Sequence, residues 1–333
     1  MTTPSDGPLM PDPDAPALGP MTGPAEPAAA SEAEPAQPPA AASESRSLQI
    51  AKGRARPIGV VLVEAGLITE EQSQRILEHA ARKRVAFGEA AVELGLLSRP
   101  QIEQVLGYQY DYPLATRGSS TALSTDVVVA FDPYDPILDE LRAVRNEIQM
   151  RWLSDPELGR HRTLAVISPG ENEGRSFVAS NLAVTFSQAG SRTLLIDADL
   201  RSGRLHQLFG ATNMGGLSTY LSGRLPAPQI HPVPGIRNLS VIASGGAPPN
   251  AGDLLARPEL ERLIRECEPL YDVIILDTPA AGKWPDARIV AAACRSALVV
   301  VRQDRSPMKA VSSLVKSTAA GGVTVLGSVL LDA

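Results

Sequence analysis

The stretch TLAVISPGENEGRSFVASNLAVTFSQAGSRTLLIDADLRSGRLHQLF, residues 163–209, decides the fold. Thr163 to Ser168 reads as a buried strand, the Gly-containing segment after it as a turn, and the residues up to Gly190 as a helix. A second apolar strand then stops at Asp197 and Asp199. This is a βαβ unit with a phosphate loop at its first switch. Phosphates are held best by converging backbone N–H groups at a helix N-terminus, with a cation on the β- and γ-phosphates and a hydroxyl on Mg²⁺. The loop Gly170, Glu171, Asn172, Glu173, Gly174, Arg175, Ser176 and Phe177 fits that need. Gly170 and Gly174 admit close backbone approach, Arg175 supplies the cation, and Ser176 supplies the hydroxyl. The helix is expected to bury Val178, Leu182 and Phe186 and to stop at Gly190.

Against the pattern G-x-x-x-x-G-K-[ST], the window Pro169 to Ser176 departs twice. Pro169 stands where the first Gly belongs, and Arg175 replaces the Lys. Arg keeps the charge and can bond two phosphate oxygens, but its fork is bulkier than an ammonium and not interchangeable with it. The window also reads as an ordinary Gly turn with Arg175 on the surface. Two further stretches bear on the choice. LLIDADLR carries Asp197, Asp199 and Arg201 on alternate residues, so extended geometry points all three toward a ligand at the carboxyl edge of the sheet. A single such Asp also serves as a helix cap. YDVIILDTPAA places Asp277 after buried β-formers, where an acid can hold a Mg²⁺-bound water.

With EGRSFVASNLAVTFSQAG, LLIDADLR followed by LHQLFG, GGLSTYLSG, GGAPPNAGDLL and YDVIILDTPAA in hand, residues 132–333 resemble the bacterial tyrosine kinases of capsule and exopolysaccharide operons. The likeness is greatest to their cytoplasmic form, which accompanies a membrane chain-length determinant, the polysaccharide co-polymerase. The resemblance implies Mg·ATP as cofactor and places Arg175 where the family has a phosphate-contacting Lys. It assigns Ser176 and Asp197 to Mg²⁺, Asp199 as the catalytic acid of the second motif, and Asp277 as the third-motif acid on the metal side. Catalysis is thus expected from Asp199, Arg175 and Asp197, regulating chain length, polymerisation and export of a polysaccharide. One alternative is a catalytically weak, nucleotide-sensing partner of the same export machinery. Another is a partition or septum-site ATPase, but those carry a second Lys in the loop, and this chain has no Lys between Lys83 and Lys283. Because the sequence stops at Ala333, the family's C-terminal tyrosine cluster is not expected. Of Tyr108, Tyr110, Tyr112, Tyr134, Tyr220 and Tyr271, the first three are the most clustered acceptor.

The 333 residues are 44% apolar, enough for a sizeable core, and carry a net charge of −6. Residues 1–46 hold Asp6, Asp12, Asp14, Glu26, Glu32, Glu34 and Glu44 against Arg46 alone, which accounts for the whole imbalance. Neither part has a nucleic-acid binder's basic footprint. Cys267 and Cys294 have no metal-ligand spacing. Without an apolar stretch of spanning length, the expected location is cytoplasmic, peripheral to the inner membrane through a partner. Residues 1–47, rich in Pro, Ala and Glu, read as a disordered tail.

Residues 48–115 read as a helical domain of two repeats, with PIGVVLVEAGLIT and AFGEAAVELGLLS aligned at a spacing of 29. Each has a short helix, a Gly stop (Gly66, Gly95), an N-cap hydroxyl (Thr69, Ser98) and a second helix. This domain resembles the N-terminal domain of type II secretion and pilus ATPases. Pro57 and Ala86 stand where the cyclic di-GMP-binding versions carry Arg, so protein docking is favoured over that dinucleotide. Residues 116–135 read as a linker. ILDELRAVRNEIQMRW then puts Ile137, Leu141, Val144, Ile148 and Trp152 on one helical face and Asp139, Arg142 and Arg145 on another. The related kinases carry E-x-x-R-x-x-R at this place, so these three residues imply homo-oligomerisation; a solvated charged face is the other reading. The expected whole is α/β: a doubly wound, mostly parallel sheet of the P-loop NTPase type over 136–333, preceded by the small helical domain and the tail.

Overall fold

The computed structural model describes residues 57–99, 101–102, 105, 107, 123–131, 135–157, 159 and 161–332. The expected tail, Tyr108, Tyr110, Tyr112, Tyr134 and residues 116–122 and 132–133 of the expected linker lie outside the described residues.

Helices α1 (Ile58–Glu64), α2 (Glu70–Lys83) and α3 (Phe87–Glu93) form the repeat module. Its periodicity is visible in the caps. Thr69 accepts from Gln72 N at 3.2 Å while Gln72 Oε1 accepts from Thr69 N at 2.8 Å, a reciprocal capping box. In the second copy Ser98 N donates to Gln101 Oε1 at 2.9 Å. Gly66 and Gly95 both turn left-handed, at φ 69° and 64°. Equivalent positions fill one small core: Val61 with Ala90, Leu62 with Ala91, Ile68 with Leu97, Ile76 with Val105.

The larger part is a seven-stranded sheet in the order β3-β4-β2-β5-β1-β6-β7. The strands are β1 (Thr163–Ile167), β2 (Thr193–Asp197), β3 (His231–Pro232), β4 (Leu239–Ile242), β5 (Val273–Asp277), β6 (Ser296–Arg302) and β7 (Thr324–Leu331). All pair in parallel except the two-residue β3, which runs antiparallel to β4. Parallel strands covered on both faces read as continuous apolar runs, and β1, β2 and β5 are buried throughout.

One face is covered by α4 (Pro136–Ile148) and α5 (Arg175–Gln188), the helix of the phosphate loop, and by α6 (Leu205–Phe209). The other is covered by α7 (Leu217–Leu221), α8 (Ala251–Leu255), α9 (Pro258–Cys267), α10 (Asp286–Cys294) and α11 (Met308–Ala320). From Val178 to Ser187 every residue of α5 is buried, because α4 covers the side that would otherwise face solvent. The expected face of α4 is present with one addition: Leu138, Leu141 and Ile148 are buried, and Trp152 follows in a π-turn.

The expected linker is corrected where it is described. Val127, Val129 and Ala130 are fully buried in the core beside α5. Asn181 on α5 anchors that segment, accepting from Val129 N at 3.3 Å and donating to Asp126 O at 3.0 Å. Among the described residues no helix is long and apolar enough to cross a membrane. The Cys267 thiol is pushed up to about 11 by burial, and burial drives that of Cys294 higher still, so both stay protonated.

Candidate active site

The carboxyl ends of β1, β2 and β5 meet at the site. Asp197 and Asp277 are register partners on adjacent parallel strands, 0% and 1% exposed. Burial, and then the charge of Asp277, holds Asp197 well above the usual carboxylate range. Burial lifts Asp277 to about 6, with the Ser176 hydroxyl and the Arg175 charge countering the rise. The two differ in their bonding. Asp197 accepts from Asp199 N at 3.3 Å and from Leu205 N at 3.0 Å. Neither buried oxygen of Asp277 has a hydrogen bond of ordinary geometry, although the Ser176 hydroxyl lies near enough to favour its charged form.

Orphaned carboxylate oxygens beside a serine hydroxyl and a second acid fit a divalent cation, since a buried acid needs a proton or a cation to offset desolvation. Among the described residues no three His, Cys, Asp or Glu side chains form a metal cage. Mg²⁺ keeps waters and takes only one or two carboxylates plus phosphate oxygens. Ser176, Asp197 and Asp277 are the residues that would hold it.

The expectation that Asp197, Asp199 and Arg201 alternate along one strand is corrected. β2 ends at Asp197, and Asp199 sits in a turn, accepting from Arg201 N at 3.1 Å, Ser202 N at 2.9 Å and Ser202 Oγ at 2.9 Å. The turn presses close to the acids: a Cβ at Gly203 would lie 2.6 Å from Asp197 Oδ2. Arg201 turns to the fully buried Asp286 at the start of α10, Nε to Oδ2 at 2.7 Å, with its guanidinium 3.9 Å from the Trp284 ring centroid.

The phosphate loop is held by its own side chains. Gly174, at φ 96°, is the residue before α5. Arg175, expected to supply the phosphate cation, bonds protein groups in this structure. Its Nε donates to Thr278 O at 2.8 Å and its Nη1 to Ser168 Oγ and Gly170 O. The arginine fork thus ties the loop carbonyl of Gly170 to the carbonyl of Thr278 after β5, a span a single ammonium would not cover. Glu173, 2% exposed, accepts from Gly170 N at 2.6 Å and from Ser306 Oγ at 2.6 Å. Arg305 donates to Asn172 O at 3.3 Å, and Glu171 pairs with Lys283 at 3.0 Å. Phe177, partly buried, packs against the core. The sequence reading missed Glu173 as a buried loop acid, the Ser306 and Arg305 latch, the Arg201–Asp286 pair and Lys283. Only Lys283 left a signal, as the sole Lys between positions 84 and 308.

No protein-family model matches the chain. A Klebsiella pneumoniae protein of the cps region, named as a tyrosine-protein kinase, is 34% identical over 204 residues, 60% of this chain and 27% of that protein. Tyrosine-protein kinase etk of Escherichia coli K12 is 31% identical over 199 residues, again 60% and 27%. The solved kinase domain of Escherichia coli ETK superposes with a TM-score of 0.59 at 29% identity, covering 67% of this chain and 85% of that domain. Over these residues the chain is similar to bacterial tyrosine kinases. It spans about a quarter of the length of the curated relatives it matches. The likeness is to their kinase domains, and the mostly parallel P-loop sheet is common to both. The resemblance of the repeat module to secretion ATPases gains no support from these relatives.

Proposed function

We propose that the chain is an ATP-dependent protein tyrosine kinase acting in polysaccharide production. The observation that carries this reading is the pair of in-register buried acids, Asp197 and Asp277, beside Ser176 at the mouth of a phosphate loop. Backbone N–H groups at the start of α5 would bind the phosphates. When bound, Mg²⁺ neutralises charge on the transferring phosphoryl group. Asp199, held by the Arg201–Ser202 turn, is the acid that would orient a tyrosine hydroxyl and take its proton. The acceptor is a tyrosine of a second copy or of another protein. We assign the chain to the cytoplasmic side of the inner membrane, docked on a membrane chain-length determinant and regulating chain length, polymerisation and export.

A second reading is favoured by two contacts. Arg175 is committed to the carbonyls of Gly170 and Thr278, and Glu173 occupies the Gly170 N–H that a phosphate oxygen would use. In that reading the chain senses nucleotide for the export machinery without transferring phosphate. Calorimetry separates nucleotide binding from its absence. Mg·ATP is expected to bind, and EDTA to weaken it sharply; no heat from Mg·ATP at high protein concentration would remove both readings.

A further inference from the structure

We propose that Lys283 is the lysine of this site that contacts the terminal phosphate, and that Glu171 holds it until a nucleoside triphosphate arrives. The inference rests on the nucleotide-binding reading above. It starts from Arg175, whose guanidinium braces the loop against the Thr278 carbonyl and so leaves the phosphate cation to be found elsewhere.

The segment after Asp277 supplies it. Thr278 Oγ1 donates to Val166 O at 2.7 Å, Ala281 N to Ser168 O at 3.0 Å and Gly282 N to Pro169 O at 2.9 Å, so its backbone runs along the start of the phosphate loop. The approach tolerates no side chain, since a Cβ at Gly282 would lie 2.5 Å from Pro169 O. The next residue, Lys283, therefore stands beside the start of the loop, on the segment that leaves Asp277, the acid that would hold Mg²⁺. Its Nζ lies 3.0 Å from Glu171 Oε1, a carboxylate of the loop itself. That oxygen stands in for a phosphate oxygen. Both side chains are more than half exposed, at 58% and 61%, so the ion pair is weak and exchanges readily. A phosphate carrying more charge than a carboxylate displaces it.

The test is calorimetry on the full chain with Mg·ADP and a non-hydrolysable Mg·ATP analogue, comparing wild type, Lys283→Met, Glu171→Gln and, as an exposed-lysine control, Lys309→Met. The expected result is a loss of about tenfold or more in triphosphate affinity for Lys283→Met, as for a lost charge-assisted hydrogen bond, with diphosphate affinity changed less than about threefold. Glu171→Gln is expected to bind the triphosphate more tightly, and Lys309→Met to match wild type. Triphosphate affinity unchanged in Lys283→Met, or equal loss for both nucleotides, overturns the proposal while leaving nucleotide binding intact. A Glu171→Gln variant no tighter than wild type overturns the holding role. Failure of wild type to bind either nucleotide overturns the underlying reading as well.

Discussion

Asp277 is the residue whose chemistry is most exposed to a simple measurement. A carboxyl whose native pKa lies above its usual value binds its proton more tightly when folded, so it costs nothing at low pH. The cost grows as pH rises from about 3.8 to about 6 and is fully present above that window. Asp197 shifts in the same direction. In the proposed site Mg²⁺ would take the place of the proton at neutral pH. Thermal melts are therefore expected to show a larger Mg²⁺-induced rise in Tm at pH 7 than at pH 5. Asp277→Asn removes the buried charge and keeps the shape, so its metal-free Tm at pH 7 should exceed that of wild type by about 2–6 °C, with no further rise on adding Mg²⁺. A variant less stable than wild type, or still stabilised by Mg²⁺, would take the metal away from Asp277.

Among the elements, the turn after β2 and the start of α10 depend on each other through Arg201 and Asp286. Removing one partner of a buried ion pair costs about 3–5 kcal/mol, because the remaining charge is left uncompensated. Arg201 is partly exposed at 26%, whereas Asp286 is fully buried. Arg201→Ala is thus expected to cost more in urea unfolding than Asp286→Ala, and the double variant less than the sum. Additive losses would reduce the pair to two independent contacts. This pair also marks where the sequence stopped being legible. The strands, the phosphate-loop helix and the acids at the strand ends were readable because burial on both faces writes continuous apolar runs. Asp199 and Arg201 were misplaced because alternation holds only while the strand lasts, and it ends at Asp197. Arg175 was read by charge, but its neighbours Ser168 and Thr278 come from other segments of chain. The segment around Val127 was read as linker because its partner, Asn181, lies on a distant helix.

For the whole molecule, two claims concern what the chain does with other chains. Arg142 pairs with Asp139 at 3.0 Å, while Arg145 donates to Thr185 O at 3.2 Å at the far end of α5. Arg145 thus also serves its own fold, which makes Arg142→Ala the cleaner variant for assembly. Light scattering should show a large wild-type species that shifts to monomer in Arg142→Ala with Tm unchanged; an unaltered mass, or a monomeric wild type, would return this face to solvent. The central claim is phosphoryl transfer, and it hangs on Asp199, since a passive nucleotide sensor has no use for an oriented acid beside Asp197 and Asp277. The most direct measurement is mass spectrometry for phosphotyrosine after incubation in Mg·ATP, with and without the cytoplasmic segment of a membrane chain-length determinant. Asp199→Asn is the control, its ATP binding checked by calorimetry. Slow accumulation of phosphotyrosine in wild type, raised by the partner and lost in Asp199→Asn while ATP still binds, is the predicted result. Phosphotyrosine and ADP no higher in wild type than in Asp199→Asn would contradict it.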